Sequence, residues 1–480
     1  MNSKKYTTAR IEKAEAEAKQ LEEGSNSPVW LKAADDYVHE FLERLPDAPM
    51  YIEPAQENPF SKPNFAEEGG DMRKALDQFR EHVDKTGIHT ISGNMFGYIP
   101  GGNLLPAAIG DFISAVTNRY SGVFFSSPGS VRMEHMLIRW MCNMVGYPPS
   151  ALGNMVSGGS PASLVAIATA RDHLQVRSRD VERSVVYLTS QAHHCIHKAL
   201  RIAGLGEAII RQVPVDEGFR MKPDALAQQI EDDLGEGLKP FLLVSSAGTT
   251  DTGAVDPLDD LADVAEKHGL WHHVDAAYGG FFMLTDEAKD KFKGIERSDS
   301  VTIDPHKGLF LPFGSGAVLI KNVEALLHTH HYMASYMQDT QGMTEEHSPA
   351  DLGPELSRHP KGLRMWLPLK VFGLRPFRAA LEEKILLCRY FYDKVKELGF
   401  ETGPEPDLSI AMYRYVPEEG DANAYNERLV EAIRKDGRVL VSSTTINGVF
   451  WLRIAVLNFR THREHVDRLL GVLREKANHL

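Results

Sequence analysis

Cysteine is scarce, long apolar runs are missing, and no tract of basic residues occurs. Each shortage excludes something. The three cysteines, Cys142, Cys195 and Cys388, have no disulfide or zinc-ligand spacing, so a reducing, cytoplasmic setting is expected. No apolar stretch approaches the ~20 residues that span a bilayer, so no membrane segment is expected. Net charge is −13 with scattered acids, and no basic patch interleaves with aromatics, which argues against a nucleic-acid partner. The opening MNSKKYTTARIEKAEAEAKQ is charged without an apolar core, unlike a secretory leader. Neither His328, His330 and His331 nor His272 and His273 have a carboxylate or cysteine at ligand spacing, so no metal is expected. What the chain does have, 42% hydrophobic residues over 480 positions, suits two or three globular units around a sizeable core.

Its organising stretch is Asp304-Pro305-His306-Lys307-Gly308, which follows a short apolar strand, Ser300–Ile303. Desolvation at the end of a buried strand favours the neutral amine that a Schiff base requires. A lysine reaching from a loop into water is the commoner arrangement, and local sequence alone does not separate the two. Upstream, Leu270–Gly280 is an apolar strand ending in Asp275 and small residues. A carboxylate at the C-terminal end of a parallel strand points into the crevice where α/β folds bind ligands. Pyridoxal phosphate (PLP) needs a lysine for its aldehyde and an acid to keep its ring nitrogen protonated, and Lys307 and Asp275 fit those roles.

Between these motifs, strand and helix alternate, the signature of a mainly parallel sheet. Ser184–Thr189 and Pro240–Ser246 read as strands, and Ala192-His193-His194-Cys195 opens a helix. In Met155–Leu164, Ser160 reads as an N-cap and Pro161 as the first helical residue. The preceding Gly158 and Gly159 leave room for a phosphate at the helix start. Asp256-Pro257 reads as the cap of the next helix. Beyond residue 400 the expected strands are Leu408–Val416, Arg438–Ser443 and Val449–Leu457, with helices Ala422–Lys435 and Thr461–Lys476.

HVDAAYGG and DPHKG, with the segments in their order, resemble the group II PLP-dependent amino-acid decarboxylases. The likeness runs from about Pro28 to the C-terminus. It implies the type I PLP-dependent transferase fold, an α/β architecture in three parts. Residues 1–84 would be an N-terminal helical and extended segment packing on a partner subunit. Residues 85–370 would hold the cofactor on a mainly parallel seven-stranded sheet, and 371–480 would form a small α/β domain. The resemblance implies a homodimer with its active site at the subunit interface. It assigns the cofactor to Lys307, Asp275, His193, Gly159, Ser160, Thr250, Ala277 and His306, and catalysis to Lys307, Asp275, His193 and Tyr336. His193 would stack on the ring, and Tyr336 would protonate Cα after carbon dioxide leaves.

For the substrate, the resemblance implies contacts from Tyr98, Ile99 and Pro100, with Tyr120 and Gly122 reaching the neighbouring subunit. Many relatives have a small hydroxyl residue where this chain has Gly101. The apolar lining favours an aromatic or other apolar L-amino acid. An acidic substrate would need a cation, for which Arg453, Lys361 and Arg364 are candidates. Arg453 is equally readable as a structural ion-pair partner. Aldehyde synthesis and a non-catalytic scaffold of the same fold are the remaining alternatives.

Overall fold

The computed structural model describes residues 8–25, 27–54, 59–61, 65, 67–332 and 346–477. The chain divides into two compact units, Met1–His89 and Thr90–Leu480. In the first, helices α1 (Thr8–Ser25), α2 (Pro28–Arg44) and α3 (Met72–Phe79) accompany a two-residue antiparallel ladder. That ladder joins β1 (Tyr51–Ile52) to β2 (Gly87–Ile88). Asp71 caps α3 by accepting from Lys74 N–H at 3.0 Å, and Tyr37 donates to Asp84 at 2.6 Å.

The second unit begins with α4 (Leu105–Thr117) and α5 (Pro128–Val145) and then alternates strand and helix. In order these are β3 (Leu152–Val156), α6 (Gly159–His173), β4 (Ser184–Leu188), α7 (Cys195–Ile202), β5 (Ile209–Gln212), α8 (Pro223–Gly235), β6 (Lys239–Ser246), α9 (Leu258–His268), β7 (Trp271–Asp275), β8 (Ser300–Ile303), the single turn α10 (Pro305–Gly308), β9 (Gly316–Ile320) and α11 (Val323–His330). Strands β3 to β9 form a seven-stranded sheet in the order β3-β9-β8-β7-β6-β4-β5, with β9 alone antiparallel to its neighbours. β3, β4, β8 and β9 are buried at every position. That is why they read as unbroken apolar runs: helices cover both faces of such a sheet.

The chain continues through α12 (Leu363–Phe372) and α13 (Leu374–Glu397), separated by Gly373 at φ 69°. It ends in a four-stranded antiparallel sheet, β10 (Glu401–Thr402), β11 (Ile410–Arg414), β13 (Val449–Ala455) and β12 (Ser442–Ile446), with α14 (Ala422–Asp436) and α15 (Arg463–Ala477). Phe391, Leu429, Leu469, Tyr413, Leu452 and Ile454 share its core. Each such side chain contributes roughly 1.5–3 kcal/mol by leaving water.

Three local expectations are corrected. Helix α6 starts at Gly159 with Gly158 as N-cap, so Ser160 and Pro161 lie inside its first turn. Asp256 does not cap α9. Its carboxylate instead accepts from Met221 N–H and Ser246 N–H, both at 2.7 Å, and complete burial pushes it up to about 6. The expected strand Arg438–Ser443 is displaced towards the C-terminus, because Leu440 pairs with the loop at Asn94 and Phe96 before the sheet begins at Ser442.

Candidate active site

The C-terminal ends of β3, β6, β7 and β8, and the segment after β4, surround one cavity of about 290 Å³. It is lined by Lys307, Asp275, His193, Gly159, Ser160, Thr250, Ala277 and His306, the whole set assigned to the cofactor from sequence. A sheet built of parallel strands makes this convergence a consequence of topology, since every strand delivers its following loop to the same edge.

Asp275 is half-buried where β7 ends. One of its carboxylate oxygens accepts from Ala277 N–H at 3.1 Å, and its carbonyl accepts from Ala247 N–H at 2.9 Å. Behind it, His272 bonds to Ser245 Oγ at 2.8 Å and His273 to Ser300 Oγ at 2.9 Å. Burial holds those two imidazoles down at about 3 and about 4 respectively. His193 Nδ1 accepts from Cys195 N–H at 3.3 Å, which leaves the proton of the neutral ring on Nε2. Burial lowers the His193 pKa, Asp275 opposes that, and His194, with its ring centroid 4.1 Å away, adds to the lowering.

Lys307 sits in the single turn α10, and its Nζ lies 3.3 Å from Asp304 Oδ2. Asp304 is only 2% exposed, and its Oδ1 has no hydrogen-bond partner among the described residues. His306 Nδ1 donates to Ser315 carbonyl at 2.6 Å, and burial lowers its pKa. The start of α6 offers first-turn N–H groups that the helix cannot pair internally. At Gly159 an added Cβ would stand 3.2 Å from Asp304 and 3.3 Å from Ala277 Cβ, so a side chain there would crowd the cavity wall. These features fit PLP: an amine for the aldehyde, a carboxylate lining the same cavity, and a helix start with free amides for a phosphate.

Residues 54–416 match the pyridoxal-dependent decarboxylase conserved domain. The chain belongs to that family. PLP is its cofactor, and the decarboxylase is an amino-acid carboxy-lyase of the α/β PLP-dependent fold. It is 33% identical to an aromatic-L-amino-acid decarboxylase of Bacillus atrophaeus, over 86% of this chain and 87% of that one. It is 28% identical to a phenylacetaldehyde synthase of Petunia hybrida, over 91% of this chain and 88% of the relative. Among solved structures, Oryza sativa TDC with PLP and tryptamine superposes with a TM-score of 0.88 at 24% identity, over 94% of this chain and 97% of that one.

The decarboxylase does not bring every expected residue into the cavity. Tyr98 is 61% exposed in a left-handed conformation, Ile99 is packed in the core, Pro100 is buried and Tyr120 is exposed. None of these four lines the cavity of the single chain. Tyr336 lies outside the described residues. Among the described residues, Arg453 has no carboxylate partner. It donates to the Asp251 carbonyl and Ser442 Oγ at 2.8 and 2.9 Å, and also to the Thr250 carbonyl, so it clamps the turn that presents Thr250. Asp304, Gln191 and Tyr278 also line the cavity and received no role from sequence. Only Asp304 carried a signal there, as an acid one helical turn before the lysine. The contact of the other two depends on the fold.

Proposed function

We propose that this decarboxylase converts an aromatic or other apolar L-amino acid to its amine and carbon dioxide. The observation that carries this reading is the shortage of cations at the site. Among the described residues lining the cavity, Lys307 is the sole lysine or arginine. The three basic side chains able to serve an acidic substrate are engaged elsewhere: Arg364 with Asp111, Lys361 with Glu355, and Arg453 with backbone carbonyls. Within that cavity a substrate carboxylate side chain would be desolvated without a partner, at a cost of several kcal/mol. The names of the B. atrophaeus relative and of the tryptamine-bound structure point the same way.

Bound PLP supplies the electron sink that makes the Cα–carboxylate bond breakable. The protein's own work is placement. Lys307 would take the cofactor's aldehyde end, and Asp275 would keep a proton on the ring nitrogen. Gly159 and Ser160 would hold the phosphate, Thr250 and His306 would flank the ring, and His193 and Ala277 would meet its faces. Holding the scissile bond perpendicular to the ring favours loss of carbon dioxide over transamination. Tyr336 would deliver the proton to Cα, with Tyr98, Ile99, Pro100 and Tyr120 meeting the substrate.

We further propose a cytoplasmic homodimer whose active site lies at the subunit interface, with residues 1–84, 85–370 and 371–480 as its folding parts. Leu105, Ile109, Phe112, Ile113 and Val116 leave an apolar face of α4 exposed, which suits burial against a second copy. Light scattering that reports a monomer at micromolar concentration would remove the dimer.

The deciding assay measures carbon dioxide, amine, ammonia and peroxide together across a panel of L-amino acids. Equal amine and carbon dioxide from an aromatic substrate is the expected result. Ammonia with peroxide would instead support aldehyde synthesis, the activity named for the Petunia relative. Turnover of glutamate alone would overturn the cation argument.

A further inference from the structure

Among the described residues, six other than glycine have a positive φ, and Phe310 alone of the six is buried. Tyr98, Asn118, Gln175, Phe219 and Asn447 are exposed or half-buried, whereas Phe310 stands at φ 59° and is 2% exposed. A left-handed backbone is unfavourable for a bulky residue and persists only where its surroundings over-determine it. Two sets of contacts do so here. The Phe310 ring stacks on Phe377 of α13, with centroids 6.2 Å apart and planes 6° from parallel. It tilts against Phe459 at 5.9 Å and 50°, and both separations suit favourable aromatic pairs. The Phe310 backbone closes the turn after Lys307: its N–H donates to the Lys307 carbonyl at 3.2 Å, and its carbonyl accepts from Leu104 N–H. Phe459 reaches the same carbonyl from the other side. Its N–H donates to the Gly101 carbonyl at 3.3 Å, and the Gly101 backbone lies against the Lys307 carbonyl oxygen. The contacts close a circuit from Lys307 through Phe310, Phe459 and Gly101 back to Lys307.

We propose that Phe310 is a positioning residue for Lys307: its ring, wedged between Phe377 and Phe459, fixes the backbone from which the amine reaches the cavity. This role rests on the reading of Lys307 as the residue that takes the cofactor's aldehyde. Phe310 does not line the cavity, so it acts through the turn it closes. Without the ring, the left-handed backbone loses the packing that enforces it. It then relaxes and draws the Lys307 carbonyl with it. The start of α6 and Asp275 belong to other elements and keep their places. Loss of the ring therefore impairs attachment of PLP to Lys307 and spares its docking.

The full chain, stripped of cofactor, is mixed with saturating PLP. The first-order rate of attachment at Lys307 is followed by absorbance, and the site is located by mass spectrometry after borohydride reduction. Pyridoxine phosphate, with an alcohol in place of the aldehyde, reports docking alone through its dissociation constant. In Phe310→Leu, attachment should slow by about 10–100-fold, as an ångström-scale displacement of a reacting group does, while pyridoxine phosphate binds as in wild type. A purely structural residue would lower the urea midpoint and leave the attachment rate of the folded protein unchanged. Phe377→Leu removes the stacking partner without altering the Lys307 segment. It should slow attachment in the same direction, and it decides the matter where Phe310→Leu fails to fold. A wild-type attachment rate in the folded variants overturns the Phe310 role alone, as does weakened docking that accounts for the whole loss. No attachment at Lys307 in wild type overturns the site reading with it.

Discussion

The backbone of Gly101 runs directly against Lys307: any Cβ at position 101 would overlap the Lys307 carbonyl oxygen and crowd that of His306. Leu104 N–H donates to Phe310 carbonyl at 3.0 Å, so the glycine-rich loop is laced to the segment that follows the lysine. A serine, like any residue with a Cβ, has no room here.

Gly101→Ser should therefore displace the turn that carries Lys307. The overlap is with backbone, which cannot rotate away, and a shift of about 1 Å at reacting groups costs on the order of 100-fold in rate. Steady-state decarboxylation, together with cofactor content by absorbance, checks this. A fully loaded and fully active serine variant would refute the close packing.

Arg453→Lys should lose the clamp on the turn at Thr250 and Asp251. A lysine cannot span the two carbonyls and Ser442 Oγ with a planar fork. Orphaning these half-buried acceptors costs up to about 1–3 kcal/mol each, so denaturant midpoints should fall. PLP affinity should weaken with them if the turn positions Thr250, and an unchanged PLP dissociation constant would confine the role to stability.

Replacing Asp275 with Asn should leave the fold intact and reduce turnover by on the order of 100–1,000-fold, as for other preorganised electrostatic groups at reacting centres. Ala277 N–H would still find an acceptor in the asparagine carbonyl. Kinetics on variant confirmed to hold cofactor would test this, and near-normal turnover would remove Asp275 from the ring-nitrogen role.

Acid should destabilise the folded chain through His272 and His273. Burial holds them at about 3 and about 4, below the value of ~6.5 in the unfolded chain. The stability from keeping them neutral is complete above pH 6.5 and is lost as pH falls towards 4, because the unfolded chain takes up protons first. At pH 4.5 the loss is about 3 kcal/mol for each histidine. Urea unfolding from pH 7 to 4.5 should show it, with a shallower pH slope in His272→Asn. An unchanged slope would place the acid sensitivity elsewhere.

The candidate site of this decarboxylase was legible in local sequence wherever a strand ran directly into a cavity-lining residue. Asp275 closes β7, Lys307 follows β8 by one turn, and Gly159 follows β3, so periodicity plus a chemical need located all three. Chain order also implied the mainly parallel sheet, because strands alternating with helices close in few other ways. Contacts between residues hundreds of positions apart were not legible: Gly101 on Lys307, Arg453 on Thr250, and Glu134 on Arg358. Good capping residues at Ser160 and Asp256 do not cap their helices, since α6 starts at Gly159 and α9 at Leu258. At Asp256 the backbone donors of Met221 and Ser246 claimed the carboxylate first. Sequence by itself determined which residues meet at the candidate site and which strand edge delivers them, since both follow from short-range pattern. Tertiary structure alone decided which buried groups face one another, because pairing and desolvation depend on distances that no local pattern encodes.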